Sequence, residues 1–329
     1  MPPINGKKIL VIGGAGFIGS HIVDQLTKRD VKEIVVYDNF VRGAHDNIED
    51  ALKDSRVKVF EFGGDILQSD ILNAAMKDVD MVVHLAALWL LQCHDYPRSA
   101  FETNVRGTFN VLEACRDNNI ERLVYSSSAS VYGDALEIPM TESHPFNNKT
   151  FYGATKIAGE AMMSAFVDRY GLSGVGLRYM NVYGPRQDYK GTYIAVIMKM
   201  LDRIDNGLPP IIYGDGSQSY DFVYVEDVAK ANILALEAET NGKYYNIGKG
   251  RATSIKELAE LILDITGADL GIEYKPEGIT FVTNRIGSTE KAKVELNFEA
   301  ETELREGLIH LIDWRKKHKE RFVKWKVFE

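Results

Sequence analysis

Gly13-Gly14-Ala15-Gly16-Phe17-Ile18-Gly19 is the stretch that decides the fold of this 329-residue chain. It comes directly after an apolar run, Lys8–Ile12, and before a helix-period segment at residues 20–28. Its glycines satisfy both G-x-G-x-x-G and G-x-x-G-x-x-G. Because glycine has no side chain, the backbone can turn sharply, approach a pyrophosphate closely and direct the first amides of the helix at it. The strand before the motif and the helix after it strengthen this otherwise weak signal and predict a dinucleotide-binding unit.

The rest of the first half repeats the alternation of strand and helix. Apolar runs bounded by turn residues are separated by segments with apolar residues three and four apart, which is typical of a parallel sheet connected by helices. The predicted fold class is therefore α/β, a Rossmann-like doubly wound parallel sheet. The predicted strands are residues 8–12, 33–37, 57–62, 81–86, 123–126 and 175–178, and the later helices are residues 101–116 and 150–170.

The alternation loosens after about residue 181, where turn-rich stretches interrupt it. We therefore expect residues 1–180 to form the dinucleotide-binding domain, to which part of 222–250 returns. Residues 181–329 are expected to form mainly a smaller α/β substrate-binding subdomain.

Composition and charge exclude several classes of protein. A hydrophobic content of 45%, a charged content of 26% and a mean hydropathy of -0.18 are those of a folded globular protein. The net charge of -8 argues against nucleic acid as a partner, and no apolar run reaches the roughly 20 residues of a bilayer helix. Cys93 and Cys115 are too few for a disulfide framework and are expected to be small buried residues. We expect a cytoplasmic protein without a membrane partner or a metal site.

Asp38 lies about 20 residues beyond the glycine-rich turn, at the end of the second predicted strand. A carboxylate there can accept both ribose hydroxyls of an adenosine, and it would repel a 2′-phosphate. The position favours NAD over NADP as the cofactor. The alternative is a glycine turn followed by an ordinary surface aspartate.

Tyr152 and Lys156 stand four residues apart at the start of a predicted helix, so they share one helix face. A phenol has a reference pKa of about 10, and a neighbouring cation stabilises the phenolate and lowers that pKa. Such a pair can take a proton from an alcohol. Alone it would more simply be a solvated helix face, but Ser126-Ser127-Ser128-Ala129-Ser130-Val131-Tyr132-Gly133 precedes it, directly after the fifth strand.

Further motifs accompany these in a fixed order. They are Asp65-Ile66, His84-Leu85-Ala86-Ala87, Asn104 and Arg178-Tyr179-Met180-Asn181-Val182-Tyr183-Gly184-Pro185-Arg186. The whole ordered set resembles the extended short-chain dehydrogenase/reductase family. Within that family it is most similar to the nucleotide-sugar 4-epimerases of the UDP-galactose 4-epimerase type.

The resemblance implies an NAD site along the first domain. The glycines would hold the pyrophosphate, Asp38 the adenosine ribose, and Asp65 with Ile66 the adenine edge. The positions implied to contact the cofactor are Gly13, Ala15, Gly16, Phe17, Ile18, Asp38, Asn39, Asp65, Ile66, Leu85, Ala86, Ala87, Asn104, Tyr152 and Lys156.

The resemblance also implies the catalytic residues. Tyr152 would be the base, Lys156 would hold the nicotinamide ribose and lower the tyrosine pKa, and Ser128 would hydrogen-bond the reacting oxygen. The substrate would be a nucleotide-diphosphate sugar, most simply a UDP-sugar. Members of the family usually dimerise through the helices that match residues 101–116 and 150–170, so a homodimer is expected.

The reaction implied is 4-epimerisation through a transient 4-keto sugar and enzyme-bound NADH. A 4-dehydrogenase that releases the ketone is the main alternative. Dehydratases and decarboxylases of the family carry acidic residues directly after the catalytic residue, where this chain has Ala129 and Ser130. A non-enzymatic NAD-binding regulator would have no reason to keep Ser128, Tyr152 and Lys156 together.

The expected substrate contacts depart in part from the pattern of the family. Asn181 would contact the diphosphate, but Tyr220 stands where many epimerases have an arginine on that diphosphate. Arg186 and Arg285 are the candidates to supply the missing charge. Arg186 could instead pair with a local carboxylate, and Arg285 could instead face the sugar. The bulky loop at residues 88–93 either selects an unusual sugar or simply packs.

Overall fold

The computed structural model describes residues 4–188, 195–277 and 282–320. Its strands fall into three sheets, and its helices follow the strands along the chain. The strands are β1 (Lys8–Ile12), β2 (Glu33–Tyr37), β3 (Val57–Val59), β4 (Met81–His84), β5 (Arg122–Ser128), β6 (Gly174–Tyr179), β7 (Asn181–Tyr183), β8 (Ile211–Tyr213), β9 (Ser219–Tyr224), β10 (Lys243–Ile247), β11 (Ala252–Ser254), β12 (Glu273–Lys275) and β13 (Asn284–Arg285). The α-helices are α1 (Phe17–Thr27), α2 (Ser69–Ala75), α3 (Leu90–Asp95), α4 (Pro97–Ala100), α5 (Gly107–Asp117), α6 (Phe151–Tyr170), α7 (Val196–Asp205), α8 (Val225–Glu237), α9 (Ile255–Thr266), α10 (Glu290–Leu296) and α11 (Leu304–Lys317).

The main sheet has seven parallel strands in the order β10-β6-β5-β4-β1-β2-β3. The four apolar residues that end β1 are all fully buried, because helices cover both faces of the sheet. A strand buried on both sides reads as a continuous apolar run rather than as an alternating one. The predicted α/β class with a Rossmann-like parallel sheet is confirmed.

Several element ends differ from the predicted ones. β3 and β4 are shorter than expected, and β5 continues to Ser128 instead of ending at residue 126. The expected single helix at residues 101–116 is divided, since Phe101–Arg106 forms a π-helix between α4 and α5. Apolar spacing over so short a stretch does not distinguish a π-turn from an α-turn, which is why the sequence predicted a regular helix.

The second half of the chain contributes to the main sheet and also forms two smaller sheets. β10 lies at the edge of the main sheet, and α8 packs against α1. β9 pairs with β7, β11 and β13, while β8 and β12 form a separate two-stranded sheet. An apolar cluster holds these elements together, with α7, α9 and α11 packed on it. The division of the chain near residue 180 stays a prediction.

Two further observations concern membrane-spanning helices and the two cysteines. In the ranges that the structure describes, no helix combines the length and the apolarity that crossing a bilayer requires. Cys93 and Cys115 are both buried and unbridged.

Candidate active site

A cavity of about 540 Å³ opens at the carboxyl ends of the central strands. Ser128 at the end of β5, Tyr152 at the start of α6 and Asn181 in β7 all line it. Open parallel sheets bind ligands at this edge, because the loops that follow the strands converge there. The cavity is therefore the candidate active site.

The glycine-rich turn has no room for side chains. A Cβ on Gly19 would lie 2.1 Å from the Gly13 carbonyl oxygen, and one on Gly13 would lie 3.0 Å from the Ala86 nitrogen. Gly13 also has a φ of +82°, which disfavours any other residue. Gly16 precedes α1 without a side-chain cap on the first amides of that helix. Close packing and uncapped amides are what a pyrophosphate site requires.

Asp38 is oriented by the backbone of the same region. One carboxylate oxygen accepts a hydrogen bond from the Ala15 amide at 2.9 Å, and the other accepts one from the Phe40 amide at 2.8 Å. Burial raises the pKa of this carboxyl group, and these amide hydrogen bonds oppose the shift. The side chain is thus held at the end of β2, beside the glycine-rich turn. Asn39 follows it and accepts a hydrogen bond from the Val41 amide at 3.2 Å.

The predicted adenine-side residues lie along the next loop. The Tyr37 hydroxyl donates to the Asp65 carbonyl at 2.9 Å, and Asn110 donates to the Ile66 carbonyl at 2.9 Å. Ile66 packs so tightly on Gly107 that a Cβ there would lie 2.6 Å from it. On the other side of β1, the Leu85 amide donates to the Ile12 carbonyl at 2.9 Å. The structure therefore brings the expected cofactor residues to one edge, and their contacts with the cofactor stay predictions.

Asn104 supports the site from the π-helix. Its amide oxygen accepts from the Leu88 amide at 2.7 Å, and its amide nitrogen donates to the Leu88 carbonyl at 2.8 Å and to the Thr155 hydroxyl at 3.1 Å. Thr155 in turn donates to the Tyr152 carbonyl at 2.7 Å. Asn104 thus ties the loop after β4 to the first turn of α6.

Ser128, Tyr152 and Lys156 come together as the motifs predicted. Thr150 caps α6 by accepting from the Gly153 amide at 3.1 Å, and this fixes the first turn, which carries Tyr152. The Lys156 ammonium lies 5.8 Å from the centre of the Tyr152 ring and donates to the Ser126 carbonyl at 2.7 Å. Ser128 and Tyr152 both line the cavity, and the Ser128 side chain acts to lower the pKa of the Tyr152 phenol. Ser128 and Tyr152 can act on one hydroxyl bound in the cavity, with the Lys156 ammonium close to the phenol ring.

The pKa of Tyr152 is shifted in the direction opposite to the expected one. Burial raises the pKa of its phenol well above the ordinary value, against the opposing effects of the Ser128 side chain and the Arg285 charge. Burial also lowers the pKa of Lys156 to about 8, although Cys93 and Glu160 favour its charged form. The expectation of a lowered Tyr152 pKa is therefore wrong for the protein groups taken by themselves. The loss of hydration on burial raises this pKa by more than nearby positive charge lowers it.

Three amide side chains converge on the cavity. Asn181 Nδ2, Gln187 Oε1 and Gln218 Oε1 are buried and have no hydrogen-bond partner among the described residues, and all three residues line the cavity. Such groups need a partner to offset the cost of burial. Sequence reasoning named Asn181 but missed the two glutamines. The available signal was their position, since Gln187 directly follows Gly184-Pro185-Arg186 and Gln218 stands two residues after Gly214-Asp215-Gly216.

The two candidate arginines have different surroundings. Arg186 forms an ion pair with Asp24 at 2.6 Å, which is the alternative that the sequence left open for it. Arg285 is paired in register with Tyr220, which lines the cavity and donates its hydroxyl to the Val282 carbonyl at 2.7 Å. The Arg285 Nε is buried without a partner in the described part of the chain. Arg285 is therefore better placed than Arg186 to receive an anion.

The loop at residues 88–93 packs on one side and lines the cavity on the other, and its selection of an unusual sugar stays a prediction. Trp89 lines the cavity, with the Arg42 guanidinium 5.1 Å from its ring centre. Cys93 is fully buried behind the loop, and its thiol donates to the Leu88 carbonyl at 3.2 Å. One side of the loop packs while the other forms the wall of the site.

A sequence model of the NAD dependent epimerase/dehydratase family matches residues 9–248. The chain belongs to this family. It is an enzyme family whose cofactor is NAD, and the uncapped glycine-rich cradle and the ordered Asp38 fit that cofactor.

Similar proteins of the family cover almost the whole chain. A Methanocaldococcus jannaschii protein, provisionally named a UDP-glucose 4-epimerase, is 38% identical over 313 residues, which are 94% of this chain and 98% of that protein. The UDP-N-acetylglucosamine 4-epimerase from Methanobrevibacter ruminantium, solved with UDP-N-acetylmuramic acid, is 35% identical with a TM-score of 0.90, covering 95% of this chain and 99% of that one. The dTDP-glucose 4,6-dehydratase DesIV from Streptomyces venezuelae is 27% identical with a TM-score of 0.86, covering 97% and 100%.

Proposed function

We propose that this family member is a nucleotide-sugar 4-epimerase that acts through a transient 4-keto sugar. The observation that carries the proposal is the composition of the cavity wall. Ser128 and the Tyr152 phenol stand together on it, while the described residues that line it include no Asp, Glu or His. The site can exchange one proton at one hydroxyl, and the described part of its wall offers no carboxylate or imidazole as a second acid or base.

The mechanism follows from these groups. When bound, NAD supplies the acceptor for the hydride that leaves the sugar C4 and the donor for its return. Tyr152 takes the proton of the C4 hydroxyl, and Ser128 hydrogen-bonds that oxygen through the step. The Lys156 ammonium, held by the Ser126 carbonyl at 2.7 Å, stabilises the phenolate form of Tyr152 that accepts this proton. Tyr152 then returns the same proton, so the cycle has no net acid or base requirement.

The dehydratase and decarboxylase alternatives need acidic groups that the described residues of the cavity wall do not present. Ala129 and Ser130 occupy the two positions after the catalytic serine and are buried. The Ser130 hydroxyl accepts a hydrogen bond from Ser128 at 3.1 Å. Neither side chain can protonate a leaving group or remove a carbon-bound proton at neutral pH. The proposal therefore follows the epimerase relatives and not the dehydratase relative.

The substrate we propose is a UDP-sugar. The Methanobrevibacter ruminantium relative binds UDP-N-acetylmuramic acid, and the buried amides of Asn181, Gln187 and Gln218 offer hydrogen-bonding groups to a nucleotide sugar. Arg285 supplies positive charge beside Tyr220, and Arg186 is the second candidate. Asn181 and Arg285 are the proposed contacts of the diphosphate.

The proposed cofactor contacts are those expected from the sequence, with Asp38 on the adenosine ribose and Lys156 on the nicotinamide ribose. The proposed assembly is a homodimer. Phe109 on α5 and Phe151 and Tyr170 on α6 are 40%, 41% and 51% exposed. Large apolar side chains at the surface of neighbouring helices favour an interface. Sedimentation of the purified protein tests the dimer.

The decisive experiment follows the products by NMR after the protein is incubated with a panel of UDP-, GDP-, CDP- and dTDP-sugars. An epimerase converts one 4-hydroxyl configuration into an equilibrium mixture of both without added NAD. Accumulation of a 4-keto sugar with stoichiometric NADH would assign the protein to the dehydrogenases instead.

A further inference from the structure

Helix α6 makes two separate attachments to the end of β5. Tyr152, Lys156 and Glu160 follow one another at four-residue spacing, so they lie on one face of the helix. The Lys156 ammonium donates to the Ser126 carbonyl at 2.7 Å, and the Ser127 hydroxyl donates to a Glu160 carboxylate oxygen at 2.6 Å. The next residue of the strand is the catalytic Ser128. The strand and the helix that carry the catalytic pair are thus joined directly behind it.

Glu160 is itself held in place by Arg178 on β6. The Arg178 Nε and Nη2 donate to the two carboxylate oxygens at 2.9 and 2.7 Å, and both side chains are about 5% exposed. Arg178 is the register partner of Ser127, and its Nη1 donates to the Tyr132 hydroxyl at 2.8 Å. A bidentate pair of this kind has one geometry, so the oxygen that receives Ser127 is fixed.

A buried ion pair is weak as a source of stability. Taking both charges out of water costs about as much as their attraction returns, and apolar residues of equal volume often stabilise a core as well. A fixed geometry at a reacting centre is different, because a misplacement of about 1 Å can reduce the rate about 100-fold. The Glu160–Arg178 pair stands one hydrogen bond away from the strand end that presents Ser128.

We propose that Glu160, fixed by Arg178, is a positioning residue that anchors Ser127 and thereby holds the Ser128 hydroxyl against the Tyr152 phenol. The proposal rests on the proposed function, since it concerns the step in which the C4 hydroxyl is oxidised. Glu160 does not line the cavity, so it acts only through Ser127 and Lys156.

The charge of Glu160 has a second consequence for Lys156. Burial disfavours the ammonium, and Glu160 favours it. The other groups that face Lys156 are Tyr152 on the same helix, the Cys93 thiol on α3, the Tyr125 ring at 5.1 Å on β5 and His84 on β4, which burial keeps neutral. Glu160 is the carboxylate among them, and it is paired with Arg178. Its neutralisation should shift the loss of the Lys156 charge to lower pH.

Ser127→Ala tests the anchor with the least disturbance. We expect kcat for the oxidation of substrate, followed by the absorbance of the reduced cofactor at 340 nm in a single turnover, to fall at least tenfold. KM and the amount of NAD that co-purifies should stay within twofold, because the cradle is not altered and the Ser127 hydroxyl is already bonded to Glu160. The matched control is Ser173→Ala, which removes a serine hydroxyl that accepts from Arg122 at 2.9 Å at the opposite end of the same sheet. It should keep kcat within twofold.

Glu160→Gln and the double variant Glu160→Gln with Arg178→Met separate positioning from stability. Glu160→Gln alone leaves a buried guanidinium unpaired, so it should lower the melting temperature. The double variant removes both charges and should recover most of that temperature, but kcat should stay at least tenfold low. In both variants kcat should begin to fall on the alkaline side at a lower pH than in the wild type. In Ser127→Ala this fall should begin at the same pH as in the wild type.

Two results would overturn the proposal: wild-type kcat in Ser127→Ala, or recovery of both stability and kcat in the double variant. Failure of the proposed function would look different. Single-turnover oxidation at C4 is common to epimerases, dehydrogenases and dehydratases, so the positioning role is measured even if NMR shows that the final product is not a 4-epimer.

Discussion

Arg285 on β13 is the register partner of Tyr220 on β9, in a parallel pair of strands. Register partners in a parallel pair send their side chains to the same face of the sheet. The guanidinium is therefore brought beside the phenol that occupies the position of the family's arginine. It carries a buried Nε without a partner among the described residues, and burial lowers its pKa. An anionic substrate would give the Nε a hydrogen-bond partner and would favour the charged form of the guanidinium.

Arg285→Ala should therefore raise the Michaelis constant for the true substrate at least tenfold, equivalent to about 1.4 kcal/mol of lost binding. The bound NAD should be unaffected. Arg305→Ala is the matched control, since Arg305 pairs with Asp264 on an exposed surface. An unchanged Michaelis constant in Arg285→Ala would remove this residue from the site.

Tyr152→Phe should abolish turnover while NAD binding stays nearly intact, because it deletes the proton-transfer group and not the cradle. Positioned acids and bases contribute on the order of 10²–10⁴ in rate. Steady-state kinetics and the nucleotide content of the purified variant check the two halves of the prediction. Lys156→Ala should reduce both. A Tyr152→Phe enzyme that keeps more than about a tenth of the activity contradicts the assignment of the base.

The purified protein should carry NAD or NADH and not the phosphorylated cofactor. Asp38 is held at the end of β2 by the amides of Ala15 and Phe40, and a carboxylate there repels a 2′-phosphate. Acid extraction followed by identification of the nucleotide gives the answer. A protein that is purified empty and then binds NADP more tightly than NAD would refute this interpretation of Asp38.

Turnover in D₂O should leave the sugar C5 and C6 hydrogens unexchanged. The described cavity wall has no carboxylate or histidine to remove them, and Ala129 and Ser130 are buried without acidic function. Mass spectrometry and NMR of the product locate any deuterium. Label at C5 or C6 would indicate enolisation or elimination and would favour a dehydratase.

Acid should destabilise the fold through two buried histidines. Burial lowers the pKa of His21 and of His84 to about 3 from an ordinary 6.5, so the unfolded chain binds more protons between these values. Their contribution is fully present above pH 6.5 and is lost as the pH falls toward 3. At pH 5 each should cost about 2 kcal/mol of unfolding free energy.

Urea unfolding at pH 7 and pH 5 measures this loss. His21→Gln should remove about 2 kcal/mol of the change in unfolding free energy between pH 7 and pH 5, whatever it does to the stability at pH 7. An equal pH dependence in the variant and the wild type would show that other groups are responsible.

The strands and the glycine-rich turn could be predicted because their causes are local. A β-strand buried on both faces must be apolar along its length, and a turn that admits no Cβ must be glycine. The sequence alone therefore predicts β1, β2 and the turn at residues 13–19. The spacing of Tyr152 and Lys156 likewise follows from the pitch of one helix.

The sequence by itself thus determined the parallel sheet, the cradle and the membership of Ser128, Tyr152 and Lys156 in one site. Only the tertiary structure decided how distant segments meet. It placed Arg186 on Asp24, 162 residues away, set Arg285 beside Tyr220, and joined Glu160 to Arg178 and Ser127. It also reversed the expected pKa shift of Tyr152, since burial is a property of the surrounding packing. Local patterns record backbone hydrogen bonding and solvent exposure, whereas pairings across the fold depend on which elements pack together.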